Sequence, residues 1–299
     1  MRLTIISLSA ILFCGFISCT ASRISTDLYQ QQWVHGTENC KEDTSPPIQV
    51  VRINNNTWML RENKCVHYEA PFMFLFLGDK KALLMDTGAT EDEGRFPLAY
   101  TVMKILTEWR KRVDYQVELV VAHTHSHGDH VTGDVQFKNR PNVSIVGLKV
   151  DDIKSFFTIA DWPVAEGFFN LGNRSLEIIP IPGHHKTSIA VYDAETRILL
   201  SGDTFYPGRL YVDDWQSFKS SIQRLVDFTR KHKTIYILGN HIEMTDSPGV
   251  DYPVGTTYQP HEHALPLKVK DLKRLNAVLT RLGDTPKREV LKDFIIYPK

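Results

Sequence analysis

Short apolar runs separated by turn-forming residues dominate the first third of the chain. IQVVRI (48–53) and TWML (57–60) read as strands, and PFMFLFL (71–77) and KALLMD (81–86) flank Gly78-Asp79-Lys80-Lys81, a hairpin turn. The period then lengthens to that of a helix. After Pro97, a stripe of Leu98, Val102, Ile105, Leu106 and Trp109 runs into Arg110-Lys111-Arg112, cations that complement a helix C-terminus. VELVVA (117–122) is a buried strand leading into VAHTHSHGDH (121–130), with a helix-like segment behind it. VSIVGL (143–148) and SLEIIPI (175–181) are further strands, and SIAVY (188–192) with RILLSGD (197–203) forms a hairpin turning on Asp193-Ala194. Trp215, Phe218, Ile222, Leu225, Val226 and Phe228 mark another helix, TIYIL (234–238) a strand, and Leu272, Leu275, Val278, Leu279 and Leu282 a last helix. Two similar strand-and-helix halves without a low-complexity linker predict an α/β fold: a four-layer αββα sandwich over residues 48–299, its two sheets face to face and helices on both outer faces.

Upstream of that domain, residues 23–47 are polar and end in SPP, which predicts an extended arm. Residues 1–22 combine a basic Arg2, an apolar stretch from Leu3 to Ile17 and small residues from Ser18 to Ser22. That is the layout of a secretory signal peptide, too short and too weakly flanked for a spanning helix, and it predicts an exported protein. The ending FISC also resembles a bacterial lipobox, with Phe16 where Leu is usual, leaving a lipid anchor at Cys19 as an alternative. Past the signal two cysteines remain, Cys40 and Cys65. Export favours a disulfide between them over two buried thiols. Asn55, Asn142 and Asn173 begin N-glycosylation sequons, short patterns that also arise by chance.

Lys+Arg and Asp+Glu both number 35, so no net charge draws the chain toward nucleic acid or an anionic membrane. A composition 42% hydrophobic and 23% charged is that of a globular protein. The chemistry concentrates at 121–130. On an extended segment His125 and His127, two apart, point the same way. After Gly128 the chain can turn and swing Asp129 and His130 toward the same spot. Three imidazoles and a carboxylate this close would repel one another if buried without a cation. Histidine with carboxylate suits zinc, iron or manganese, and the absence of cysteine argues against a closed structural zinc site. His123 lies back on the strand and reads as a packed or hydrogen-bonded histidine.

THSHGDHVTG has the form HxHxDH and resembles the metallo-β-lactamase superfamily. Other segments resemble that family in its order, each after a strand: Leu83-Leu84-Met85-Asp86-Thr87-Gly88, Pro182-Gly183-His184, Ser201-Gly202-Asp203 and Leu238-Gly239-Asn240-His241. The resemblance implies that His125, His127 and His184 hold one metal, that Asp129, His130 and His241 hold a second, and that Asp203 bridges them. Asp86 would orient a ligand or the helix start from behind. His185 is a rival to His184, which the spacing from Gly183 favours. Two zinc ions are the implied cofactors, with iron or manganese as alternatives. Such a pair lowers the pKa of a water from about 15.7 toward roughly 7 and polarises a substrate oxygen, with Asp129 orienting the nucleophile.

The resemblance implies a hydrolase acting on a small molecule, and leaves the substrate open among β-lactams, thioesters, lactones and phosphodiesters. β-Lactamases of the family usually carry Cys or Ser in place of the bridging carboxylate. Asp203 therefore favours a thioesterase-like or lactonase-like enzyme cleaving a small ester, thioester, lactone or amide. The competing readings are an iron-dependent persulfide dioxygenase or a non-catalytic metal-binding relative. Tyr206, three residues past Asp203, is placed as in acyl-homoserine lactonases, to donate to a substrate oxygen or simply to wall the pocket. The stretch TDSPGVDYPVGTTYQPHEH (245–263) predicts a loop over the site, with Tyr252, Tyr258, His261 and His263 as substrate contacts. Lys186 and Arg209 read as surface charges first and carboxylate binders second.

Overall fold

A computed structural model describes residues 24–113 and 116–299. The expected signal segment and Cys19 lie outside the described residues. The first sheet is built from β1 (Ile48–Asn54), β2 (Thr57–Glu62), β3 (Phe72–Leu77), β4 (Lys81–Met85), β5 (Glu118–Ala122) and β6 (Val143–Ile145), in that order. Its first four strands run antiparallel; β4, β5 and β6 are parallel, and α1 (Leu98–Val113) makes the crossover between β4 and β5. The chain then forms the short helix α2 (Gly128–Val131), a 3-10 turn (Thr132–Gln136) and α3 (Val150–Phe156). A second sheet follows from β7 (Gly167–Asn170), β8 (Ser175–Pro180), β9 (Ile189–Asp193), β10 (Ile198–Gly202) and, after β11 (Arg209–Val212) and α4 (Trp215–Lys231), β12 (Tyr236–Gly239). Its spatial order is β12-β10-β9-β8-β7. Helix α5 (Val269–Leu282) precedes β13 (Glu289–Val290) and β14 (Ile295–Pro298), which join β11 in a small third sheet.

Alternation along the strands decides the layering. On β3, Phe72, Phe74 and Phe76 enter the cluster between the sheets, where they meet Ile178, Val191, Ile198, Leu200 and Leu238. Met73, Leu75 and Leu77 face the other way and pack with Leu98, Val102 and Leu106 of α1. In the second sheet Ile179, Ala190, Leu199 and Ile237 face outward against Phe218, Ile222 and Leu225 of α4 and Leu272, Leu275 and Leu279 of α5. Strands covered on both faces read as continuous apolar runs, as FMFLFL does. The result is the αββα sandwich, helix on sheet on sheet on helix.

Residues 24–47 contain no helix or strand, yet they are not a free arm. Leu28 and Trp33 are buried in the cluster between the sheets, and a Cys40–Cys65 disulfide ties the segment to the β2–β3 connection. Asn55, Asn142 and Asn173 are all exposed. Among the described residues no helix is long and apolar enough to cross a membrane. One expectation shifts, and two features go unforeseen. VSIVGL contributes only Val143–Ile145 as a strand, since the chain turns at Gly147 toward α3. The strand β7 and the third sheet, with strands of two to four residues, carry too few positions to show a period.

Candidate metal centre

Strand ends from both sheets meet at one edge of the sandwich. Beyond β5 the chain bends at Thr124 and His125 and is extended again at His127, then α2 begins at Gly128 and carries Asp129 and His130. Thr87, just past β4, holds that helix: its N–H donates to the His130 carbonyl at 2.8 Å. His184 sits after β8 on a turn that needs glycine at Gly183, with φ of 140° and space for a Cβ only 2.4 Å from the Phe218 Cα. Asp203 follows β10 and His241 follows β12.

The ligand atoms form two groups. His125 Nε2, His127 Nδ1 and His184 Nε2 lie 2.9–3.1 Å from one another. Asp129 Oδ2 is 3.1 Å from His130 Nε2 and 3.0 Å from His241 Nε2, and the two imidazole nitrogens are 3.4 Å apart. Asp203 Oδ2 stands between the groups, 3.4 Å from both His130 and His241 and 3.8–3.9 Å from His184 and His125.

Electrostatics divide the groups as well. Burial pushes the His125, His127 and His184 imidazoles below their ordinary value, His125 farthest because His130 and His184 crowd it. Burial also works against charged His130 and His241, but the carboxylates overcome it, Asp129 and then Asp203 for His130 and Asp203 foremost for His241, so both titrate well above the usual imidazole range. In return Asp129 and Asp203, which burial alone would raise, are held well below the usual carboxylate range by those two histidines.

These residues fit metal ions. Three imidazoles turned on one another, His125 and His184 buried and His127 half-buried, bring lone pairs together, a cost that a cation relieves. Ligands about 2.0–2.1 Å from one tetrahedral zinc lie roughly 3.3 Å apart, close to the spacings seen here. Asp203 Oδ1 is buried without a hydrogen-bond partner, an orphaned acceptor next to both groups. The outer nitrogens are already committed: His184 Nδ1 pairs with the Tyr211 carbonyl at 2.8 Å and His241 Nδ1 with the Glu69 carbonyl at 3.1 Å. That fixes the tautomer which turns each Nε2 inward. Asp86 accepts from the Thr124 N–H at 2.8 Å and Asn240 Nδ2 at 2.7 Å, and lies 3.5 Å from His130 Nδ1. His123 is apart, 2.8 Å from Asp134, and His185 pairs with Thr187.

Other expected contacts fall elsewhere. Tyr206 lines the cavity, but its hydroxyl donates to the Arg209 carbonyl at 2.6 Å with Glu243 at 3.1 Å, so its proton is already committed and the ring serves as wall. Tyr252, Tyr258, His261 and His263 do not line the cavity. The Tyr252 hydroxyl accepts from the His261 N–H, Tyr258 packs near His35, and His263 pairs with Asp293, so these side chains hold the loop itself. The loop reaches the cavity through Pro253 to Thr256 and Gln259 instead. Arg209 is buried, not a surface charge, and paired with Glu243 and Asp251; Lys186 is exposed. The cavity measures about 410 Å³, and Lys64, Tyr68, Glu69 and Tyr211 on its wall went unread in the sequence. No local motif marks them.

A sandwich that gathers a three-histidine cluster and a histidine-carboxylate cluster at its strand ends defines a class of candidate metal-centre proteins. The family model described as Metallo-beta-lactamase superfamily matches residues 69–263, and the chain belongs to that superfamily. Among curated proteins it is similar to the hydroxyacylglutathione hydrolase of Methylococcus capsulatus, 30% identical over 35% of this chain and 42% of the relative. The protein of the same name from Brucella ovis is 27% identical over 52% of this chain and 58% of its own length. The chain thus spans less than two thirds of either relative. Among solved structures, the DIM-1 metallo-beta-lactamase exposed to ceftazidime aligns with 81% of this chain and 100% of its own at a TM-score of 0.50 and 14% identity, a likeness of fold.

Proposed function

We propose that the chain is an exported dinuclear zinc hydrolase of residues 48–299 that cleaves a small ester, thioester, lactone or amide bond. The observation that carries this reading is Asp203 Oδ2, set between a three-histidine group and an Asp129-His130-His241 group. When bound there, a metal pair supplies Lewis acidity and lowers the pKa of a water toward about 7.

The chain's own residues have separate tasks. His125, His127 and His184 would hold one ion and Asp129, His130 and His241 the other, with Asp203 placed to serve both. Asp129, kept ionised, is placed to accept a hydrogen bond from the attacking water and orient it. Asp86 orients His130 and, through Thr124, the strand end before His125. A cavity of about 410 Å³ with mixed polar and apolar walls suits a small molecule. The names of the relatives by sequence and the carboxylate at Asp203 favour a thioester or lactone over a β-lactam.

Metal analysis of the purified protein combined with a panel of thioester, lactone, ester and lactam substrates tests the reading. Two zinc ions per chain with turnover of one class is the expected result. One iron per chain with oxygen consumption would instead establish the persulfide dioxygenase reading. Asp129→Ala is expected to lower kcat/KM at least a hundredfold while the far-ultraviolet circular dichroism is retained; undiminished turnover would remove Asp129 from the centre.

A further inference from the structure

Three cations face the cavity, and two are neutralised. Arg209 pairs with Glu243 and Asp251, and Lys299 lies 3.1 Å from Asp213. Lys64 forms no ion pair within 4.0 Å among the described residues, although it is only 2% exposed. Its Nζ donates one hydrogen bond, to the Tyr68 carbonyl at 2.9 Å. In its ammonium form, which a bound anion would favour, Lys64 carries three donors, so two remain unspent in a buried residue that lines the cavity. Burial lowers its pKa to about 7, with Arg61 adding to the effect while Glu262, Glu243 and Glu69 oppose it without cancelling it.

Position matters as much as charge. The Tyr68 carbonyl takes Lys64, and the next carbonyl, Glu69, takes His241 Nδ1. The ammonium is therefore anchored one peptide unit from the anchor of an imidazole of the metal centre. Its stem is fixed on both sides. Cys65 is bonded to Cys40, and Gly36, at φ 76°, presses so close that a Cβ there would sit 3.0 Å from the Lys64 Cβ.

We propose that Lys64 binds a carboxylate of the substrate, so that the molecule hydrolysed here is a small acid carrying its scissile acyl bond a few atoms from that carboxylate. This deepens, and rests on, the hydrolase reading above. A free ammonium N–H can donate a charge-assisted hydrogen bond to a carboxylate oxygen. A more highly charged anion such as a phosphate monoester is disfavoured, because Glu69 and Glu243 share the cavity wall.

Calorimetry on the zinc-loaded full chain, with succinic acid monohydroxamate and its methyl ester as probes, tests the assignment. The hydroxamate end seeks the metals in both probes, and only the acid offers a carboxylate to Lys64. The acid is expected to bind about tenfold tighter than the ester, the size of one charge-assisted hydrogen bond. In Lys64→Met that ratio should fall to about one, and Lys64→Arg should keep part of it. Methionine leaves no charge buried, so the fold should persist; circular dichroism of each variant checks this. Equal binding of acid and ester by the natural protein, or an unchanged ratio in Lys64→Met, overturns the assignment and leaves the hydrolase reading standing. Binding of neither probe overturns both.

Discussion

Asp86 occupies the left-handed region, at φ 67°, and spends its carboxylate on groups behind the metal centre. Its oxygens collect Thr124 from the end of β5 and Asn240 from the end of β12 while facing His130. Asp86→Asn keeps the size and tolerates that backbone conformation, but sets an amide N–H₂ against donors. Zinc affinity should fall about ten- to a hundredfold with the fold intact, measurable by competition with a chromophoric chelator. Glu62 offers a test of a different kind. It is fully buried, one oxygen accepting from the Ala89 N–H and the other unpartnered, and burial pushes its pKa up to about 7. Between its unfolded value near 4.5 and 7 the folded chain holds a proton that the unfolded chain has released, so stability falls as pH rises through that window. Glu62→Gln should remove this slope and stabilise the protein at pH 8 relative to pH 4.5 by up to about 3 kcal/mol, read from urea midpoints at the two values. An equal effect at both pH values would refute the buried neutral carboxyl. Four of the seven candidate ligands were legible at this scale because HxHxDH packs them into six positions. Lys64 was not, since a lone lysine in NKCV carries no signal until the β2–β3 connection folds over the cavity.

Among the elements, the loop over the site is fastened at its far end by one buried pair. Arg61, wholly buried at the end of β2, meets Glu262 through two hydrogen bonds of 2.6 Å and so fastens the loop to the first sheet. Glu262→Ala would strand a buried guanidinium and should cost about 3–5 kcal/mol, whereas adding Arg61→Met should restore much of it. Urea unfolding of the single and double variants measures both; a single variant as stable as the natural chain would show that the pair carries little. Strands covered on both faces and helices with an apolar stripe declared themselves in the sequence. Strands β11, β13 and β14 did not, because each is four residues or fewer and exists only through partners more than eighty residues away or across a tight turn. The loop was foreseen as a cover for the site, yet its aromatic and histidine side chains hold the loop together while Pro253 to Thr256 face the cavity.

For the molecule as a whole, the centre joins the two sheets. His125, His127, Asp129 and His130 come from the first; His184, Asp203 and His241 come from the second. Ions bound between them would stabilise the sandwich by linkage, about 2.7 kcal/mol when free metal is a hundred times its dissociation constant. Chelation should therefore lower the thermal midpoint by several degrees, and added zinc should restore it in a saturable way; an unmoved midpoint would argue that no ion bridges the sheets. Local spacing determined the strand and helix periods, the layer order they imply and the four candidate ligands of HxHxDH, since these depend on residues within a few positions of each other; His184, Asp203 and His241 came from the family resemblance. The tertiary structure decided which side chains share the cavity, why Tyr206 has no proton to give, and that Lys64 keeps two unspent donors. The shared cavity depends on segments far apart in the chain that only the packing of one sheet on the other brings together, while the Tyr206–Arg209 and Lys64–Tyr68 bonds are local turns of irregular chain that no strand or helix period announces.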